Sequence, residues 1–354
     1  MAPEAQASCA VCGEPALNVC SGCKLDTSLR QYCGKACQTK DWPTHKKACK
    51  YAQNAILEKR LERVAEVVKQ AYYSFRKNTW DKPIDNIEDR EDALVIHYGA
   101  QFEQSKYFAK FPQHLMPTKQ VKDAVLCLLM CNEPLAYMYS VVVKLLKDIR
   151  LEIEEVRLNL GSIPRKMVIY YPCGERDQNW PRYFHEVIRI TSITTKKQWI
   201  IDITGAQYGI NRALWTWQEY RYLFKAEVKA IYPFGTNKAA LKAASRIAGS
   251  PSMSYGAISV VADHLAINLD ERLTRTGKRL SQLVHLSQRE FASDMRQLLE
   301  FMSDTVHTFV RANDFQEEFE AMMMHEEMYP GVSIQQYIIV TKAIYAQAAT
   351  ASTG

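Results

Sequence analysis

The sequence predicts an α+β protein: a helix-rich body around a small, largely antiparallel sheet, preceded by a compact N-terminal unit of about forty residues. Three observations carry this. Seven cysteines and one histidine fall between Cys9 and Cys49, where so short a segment cannot supply a hydrophobic core. β-Branched and aromatic runs gather between Glu152 and Thr204. Helical periodicity prevails on both sides of that stretch, without the regular βα alternation of a wound parallel sheet.

The totals agree with a folded chain of two or three units. Its 354 residues are 47% hydrophobic and 24% charged, close to the globular average. No run approaches the roughly 18 apolar residues of a membrane span, since the best one, Tyr139 to Leu146, is cut by Lys144. The opening MAPEAQAS has neither a basic nor an apolar targeting segment. An intracellular protein, in cytoplasm or nucleus, is therefore expected, with reduced thiols whose clustering signals metal or catalysis before disulfides.

Residues 1–8 read as a flexible tail and 9–49 as the ligand-rich unit. A connecting helix is expected over 50–80, because Ala55, Ile56, Leu61, Val64, Val67, Val68 and Tyr72 recur at three- and four-residue steps. An α+β domain is assigned to 81–235. Within it Asp81 to Asp92 reads as a loop and Ala93 to Tyr98 as a strand. Helices are expected over Lys119 to Met130 and Glu133 to Arg150, with Pro134 suited to a first turn. The sheet comprises Val156 to Leu160, Met167 to Tyr171, Glu186 to Ile193 and Trp199 to Thr204. Residues 236–354 read as a helical C-terminal region, with a break at Pro330-Gly331 and a closing Ala/Ser/Thr-rich run over 346–354.

The ligand spacing is C-x2-C-x7-C-x2-C-x9-C-x3-C-x7-H-x3-C. Two intervening residues let a tight turn aim Cys9 and Cys12, and again Cys20 and Cys23, at one ion, with Gly13 and Gly22 easing the backbone. Cys33 and Cys37, like His45 and Cys49, are four apart and share a face if each pair lies on a helical turn. Eight soft or borderline ligands match two tetrahedral zinc ions with no open position, so the sites are structural. Spacing alone leaves open whether the pairs are used in sequence or interleaved. Charge argues against nucleic acid. The formal +6 counts neutral thiols, whereas seven thiolates and two zinc ions bring residues 1–50 to zero and the chain to +3.

The segments CAVCGEPALNVCSGC and QYCGKACQTKDWPTHKKAC resemble a MYND finger over the whole of 9–49. The resemblance implies interleaving, with Cys9, Cys12, Cys33 and Cys37 on one zinc and Cys20, Cys23, His45 and Cys49 on the other. It also implies a protein-interaction module that accepts short proline-containing peptides through a glutamine and a tryptophan, which Gln38 and Trp42 match. The chain does not resemble the MYND-containing lysine methyltransferases, whose Asn-His-Ser-Cys and Gly-Glu-Glu-Leu segments it lacks.

A second informative stretch is His185-Glu-Val-Ile-Arg-Ile followed by Trp199-Ile-Ile-Asp-Ile-Thr-Gly-Ala-Gln-Tyr-Gly209. It resembles the body of filamentous-fungal MYND proteins of unassigned function, and more loosely the histidine and aspartate strands of transglutaminase-like and papain-like cysteine enzymes. Such chemistry needs a thiolate at a helix entrance, a histidine to take its proton and an acid to orient the imidazole. Cys131, His185 and Asp202 occur in that order. The two strands place His185 directly opposite Asp202 only if 191–196 form a six-residue loop. A tight turn at 195 and 196 offsets them by four residues, about 13 Å. Cys127 and Cys173 are weaker candidates.

The remaining histidines, His97, His114, His264, His285, His307 and His325, read as core or rim residues. Met322, Met323 and Met324 point around a helix and receive no role. The basic run from Arg272 to Arg279 reads as a helix end or a phosphate-binding or targeting patch. No nucleotide-binding glycine loop or serine-hydrolase elbow occurs. The leading functional expectation is a zinc-dependent, non-enzymatic adaptor for proline-containing partners, in transcriptional regulation. The alternative is a cysteine enzyme of transglutaminase-like type, or its inactive remnant.

Overall fold

The computed structural model describes residues 7–16, 18–23, 30–99 and 107–351; the expected tail up to residue 6 and the last three residues lie outside them. The chain divides into two compact units, Met1–Arg63 with Ser192–Lys197, and Val64–Thr191 with Gln198–Gly354.

In the first unit β1 (Asn18–Val19) pairs antiparallel with β2 (Gln31–Tyr32), and α1 (Lys35–Asn78) follows. α1 starts well before the expected connecting helix and carries Cys37, His45 and Cys49. The apolar stripe that announces a helix is missing from its first turns because the inward face is made of ligands. Cys9, Cys20, Cys23, Tyr32, Cys49 and Ala52 form the buried cluster of this unit. The loop 192–197 belongs with it: Thr195 Oγ1 donates to Asn54 Oδ1 at 2.5 Å, and Lys197 Nζ to Glu58 Oε2 at 2.6 Å.

The second unit takes the rest of α1, whose Val64, Val67, Val68 and Tyr72 are fully buried. Arg76, also buried, ties the end of α1 to Asp81 at 3.0 Å. In chain order come β3 (Ile84–Asp89), β4 (Ala93–Tyr98), α2 (Lys119–Leu126), α3 (Glu133–Tyr137), α4 (Tyr139–Leu146), β5 (Leu151–Asn159), β6 (Lys166–Tyr170) and β7 (Arg176–Gln178). Next are β8 (His185–Ser192), β9 (Gln198–Ile201), β10 (Leu214–Thr216), α5 (Trp217–Phe224) and β11 (Glu227–Pro233). Five helices close the unit: α6 (Thr236–Ala244), α7 (Ile258–Thr276), α8 (Gln288–Ala312), α9 (Gln316–Met328) and α10 (Val332–Ala351). Their ends follow local chemistry. Thr118, Thr216 and Ser287 accept the third backbone N–H of α2, α5 and α8, and Gly277 takes the left-handed conformation that stops α7.

The α+β class holds, but the expected single sheet is two. One has the order β10-β9-β8-β5-β11, and the other β3-β4-β6-β7. The run at Met167 to Tyr171 enters the second, where β6 lies parallel to β4 while β3 and β7 pair antiparallel. A parallel neighbour requires a crossover, so this partner comes from far along the chain. Ile84–Asp89, expected as loop, is an edge strand whose acidic positions hide its β character. β10 and β11 likewise arise in a region read as helical, each an edge of the five-stranded sheet. The expected helix from Glu133 to Arg150 breaks at Met138 and stops at Leu146. The core under the five-stranded sheet joins Val156, Leu158, Val187 and Ile200 to Tyr208, Tyr220 and Phe224.

Candidate functional site

The eight ligands fall into two clusters, Cys9, Cys12, Cys33 and Cys37, and Cys20, Cys23, His45 and Cys49, each with its ligand atoms within 4.8 Å of one another. The interleaving implied above is therefore the arrangement found. Sulfur–sulfur distances are 3.5 Å for Cys12–Cys33 and Cys33–Cys37, 3.8 Å for Cys12–Cys37 and 3.7 Å for Cys20–Cys49. These are far beyond a disulfide bond and close to the edge, about 3.8 Å, of a tetrahedron with Zn–S bonds of about 2.3 Å. His45 offers Nε2, 3.4 Å from Cys23 Sγ. Burial and the neighbouring thiols Cys20 and Cys49 push Cys23 up to about 12. A divalent cation relieves that crowding of negative charge. The donor set thus fits two structural zinc ions, with all four ligands supplied by the chain at each site.

One support is not visible in the sequence, and a second, Gly22, has a different reason from the backbone freedom expected of it. Gln53, one turn beyond Cys49 on α1, donates from Nε2 to Cys49 Sγ at 3.2 Å and orients that ligand. Gly22 is dictated by space: a Cβ there would stand 2.6 Å from Gln53 Nε2 and 2.8 Å from Cys49 Sγ. Gly13 instead serves conformation, with φ +78.

Gln38 and Trp42 stand one turn apart on α1, between the ligands Cys37 and His45, and so share a face. Trp42 is 40% exposed, and its ring meets His45 edge-on at 6.4 Å. The indole is supported by a ligand on one side and open to solvent on the other.

In the second unit, Cys131 lies between α2 and α3, His185 opens β8, and Asp202 follows β9. Pairing of Ile188 with Ile201 and of Thr191 with Gln198 sets a register between the two considered from sequence. His185 and Asp202 are offset by two residues, diagonal neighbours on one face. His185 Nε2 and Asp202 Oδ1 are 2.9 Å apart, both side chains buried. The carboxylate is held twice, since Tyr220 in α5 donates its hydroxyl to Asp202 Oδ2 at 2.8 Å. Gly205 wraps the same group, leaving no room for a Cβ beside Oδ2. The Tyr208 ring meets the imidazole edge-on at 4.9 Å.

Burial opposes charge on His185, but the Asp202 carboxylate, with a further contribution from the Cys131 sulfur, raises the imidazole to about 10. Its Nδ1 is buried without a conventional hydrogen-bond partner, and Cys131 is the thiol that interacts with the ring. Cys131 is partly exposed and its Sγ lies 3.5 Å from the Phe184 carbonyl oxygen. The arrangement presents a surface thiol backed by an imidazole, an acid and a phenol. α3 has only five residues, so its dipole adds little at Cys131. Nothing local marked Tyr220, which reaches Asp202 only through the fold.

The other candidates fall away. Cys127 is fully buried against Ile203 and burial pushes its thiol up. Cys173 is exposed in the turn between β6 and β7, where neither His185 nor Asp202 reaches it through a described hydrogen bond. His97 stacks on Tyr170 at 5.3 Å and meets Glu88 Oε1 at 2.7 Å, a rim residue. Met323 and Met324 are exposed on α9. No helix among the described residues is long and apolar enough to cross a membrane.

Residues 9–49 match the MYND finger family. No curated protein and no solved structure matches the chain. The N-terminal unit therefore carries a MYND finger, a zinc-binding module for protein interaction.

Proposed function

We propose that the body is a thiol-dependent acyl-transfer enzyme and that the finger brings it to its protein partners. The observation that carries the first half is the His185 imidazole, fixed by Asp202 at Nε2 while Nδ1, buried and otherwise unpartnered, is left for Cys131. Such a ring accepts the thiol proton, giving a thiolate–imidazolium pair. The sulfur then adds to the acyl carbon of an amide or ester, and the imidazolium returns the proton to the departing amine or alcohol. A thioester results. An incoming amine or water gives its proton to the ring, attacks the thioester and regenerates the thiol. Asp202 keeps the ring oriented and stabilises its charge throughout.

Iodoacetamide at pH 6, read by mass spectrometry on the separate cysteine peptides, tests this directly. Exposed Cys173 serves as the ordinary thiol in the same molecule. Cys131 should react on the order of tenfold faster than Cys173, and His185→Asn should erase the difference. Equal rates in the unaltered protein would remove the enzyme.

For the finger we propose recognition of short proline-containing segments by Gln38 and Trp42. The support is the open indole one helical turn from an amide, which offers a flat apolar surface beside a hydrogen-bonding group. An adaptor without chemistry would need this half alone.

A further inference from the structure

The basic run from Arg272 to Arg279, unused by either proposed role, folds over an apolar floor. Cations in the last turn of a helix ordinarily answer its dipole. Here Gly277, at φ +65, ends α7 and turns the chain so that Lys278 and Arg279 pass beyond the helix and face a cleft of about 520 Å³. Leu273 on α7, Leu283 in the following 3-10 turn and Leu298 on α8 line it, the last two buried in the body. Arg272, Lys278 and Arg279 stand at its edge against one carboxylate, Asp294.

Those cations are weakly committed. Lys278 meets Asp294 at 3.3 Å and Arg279 meets Asp148 at 3.6 Å, with both basic side chains about two-thirds exposed, so each pair contributes little. Arg272 lies 4.4 Å above the Phe301 ring and forms no ion pair within 4 Å among the described residues. A cleft of this size matches a small-molecule site, and its two parts ask for different ends of one ligand.

We propose that this cleft binds an amphiphilic anion, a single alkyl chain lying on the leucines with its carboxylate between Lys278 and Arg279. The occupant is selected by charge at the rim and by apolar length at the floor. Nothing in the site requires the thiol or the finger.

Titration calorimetry on the full chain with sodium dodecanoate, below its micelle-forming concentration, tests the proposal. One saturable site is expected. Decanoate should bind roughly tenfold more weakly, from the transfer of two methylenes. The double variant Lys278→Gln, Arg279→Gln alters two exposed side chains and should weaken dodecanoate about tenfold, more at low salt than at high. Dodecyltrimethylammonium, with the same chain and opposite head charge, should not bind. Equal binding of the two amphiphiles, indifference to chain length, or inorganic phosphate binding as tightly as dodecanoate would each overturn it. So would pelleting with phosphatidylserine-containing vesicles that dodecanoate fails to compete.

Discussion

Asp202→Asn separates the charge of the buried triad from its shape. In the native fold the imidazole is raised from 6.5 to about 10, which amounts to about 5 kcal/mol of preference for the charged ring. The sign follows from linkage. A folded-state pKa above the unfolded one contributes stability that is complete below pH 6.5 and disappears as the pH rises through 10. At pH 7 the contribution is about 4 kcal/mol and at pH 9 about 1–2 kcal/mol. Asparagine preserves volume and an acceptor for the ring but removes the carboxylate, and burial then keeps the imidazole neutral. Wild type should therefore exceed Asp202→Asn in stability by a margin that shrinks about 2–3 kcal/mol between pH 7 and pH 9. The facing groups are few. Tyr208 and Tyr220 are held well above their usual range by burial, so they stay neutral over this interval. Tyr73 and Cys127, which also feel the Asp202 carboxylate, are likewise pushed up by burial, and the comparison is repeated on Cys131→Ala to remove the thiol that faces the ring. Urea unfolding followed by tryptophan fluorescence at both pH values provides the measurement. A margin that is the same at pH 7 and pH 9 would refute the charged imidazole.

Tyr220→Phe leaves Asp202 Oδ2 buried without its donor; it should cost about 1–3 kcal/mol and shift the pH profile of Cys131 alkylation, whereas a purely packing role for the ring would leave that profile in place. Trp42→Ala should abolish capture of a proline-rich peptide while metal analysis still finds two zinc ions per chain; loss of zinc would mean that the indole supports the finger instead of a partner. Gly22→Ala forces its new methyl against Cys49 Sγ and Gln53 Nε2, so zinc transfer to a chromogenic chelator should proceed at least about tenfold more readily, and unaltered transfer would show that the knuckle yields.

The zinc sites were legible because metal ligation is local chemistry. A thiol pair with two intervening residues, or a Cys/His pair one helical turn apart, states its geometry in its spacing. Spacing did not give the partition between ions; the family resemblance implied it, and the fold shows it in Cys33 and Cys37 returning to Cys9 and Cys12. The supports were less visible: Gln53 resembles any solvent-facing helix residue until Cys49 is seen beside it. The same contrast governs the strands. β8 and β9 are buried hydrophobic runs and announce themselves, whereas β3 lies at an edge and spends its sequence on acidic residues that prevent further pairing.

The thiol cluster was legible in its members but not in its geometry. A hairpin register is fixed by the turn and by which residues must be buried, and a change of one residue exchanges the faces. Ser192 N bonding to Lys197 O, with Lys196 in the left-handed region at φ 63, sets a turn that offsets His185 and Asp202 by two positions. An even offset keeps both side chains on one face, which is the condition the chemistry needs; direct opposition is not. β9 ends at Ile201, and Asp202, one residue on, keeps the register with the start of β10, its N–H bonded to Ala213 O. Tyr220 and Gly205 enclose it there. A carboxylate fixed on two sides can orient an imidazole from a diagonal position, so the two-residue offset is compatible with catalysis even though it satisfies neither of the arrangements that strand spacing alone suggested.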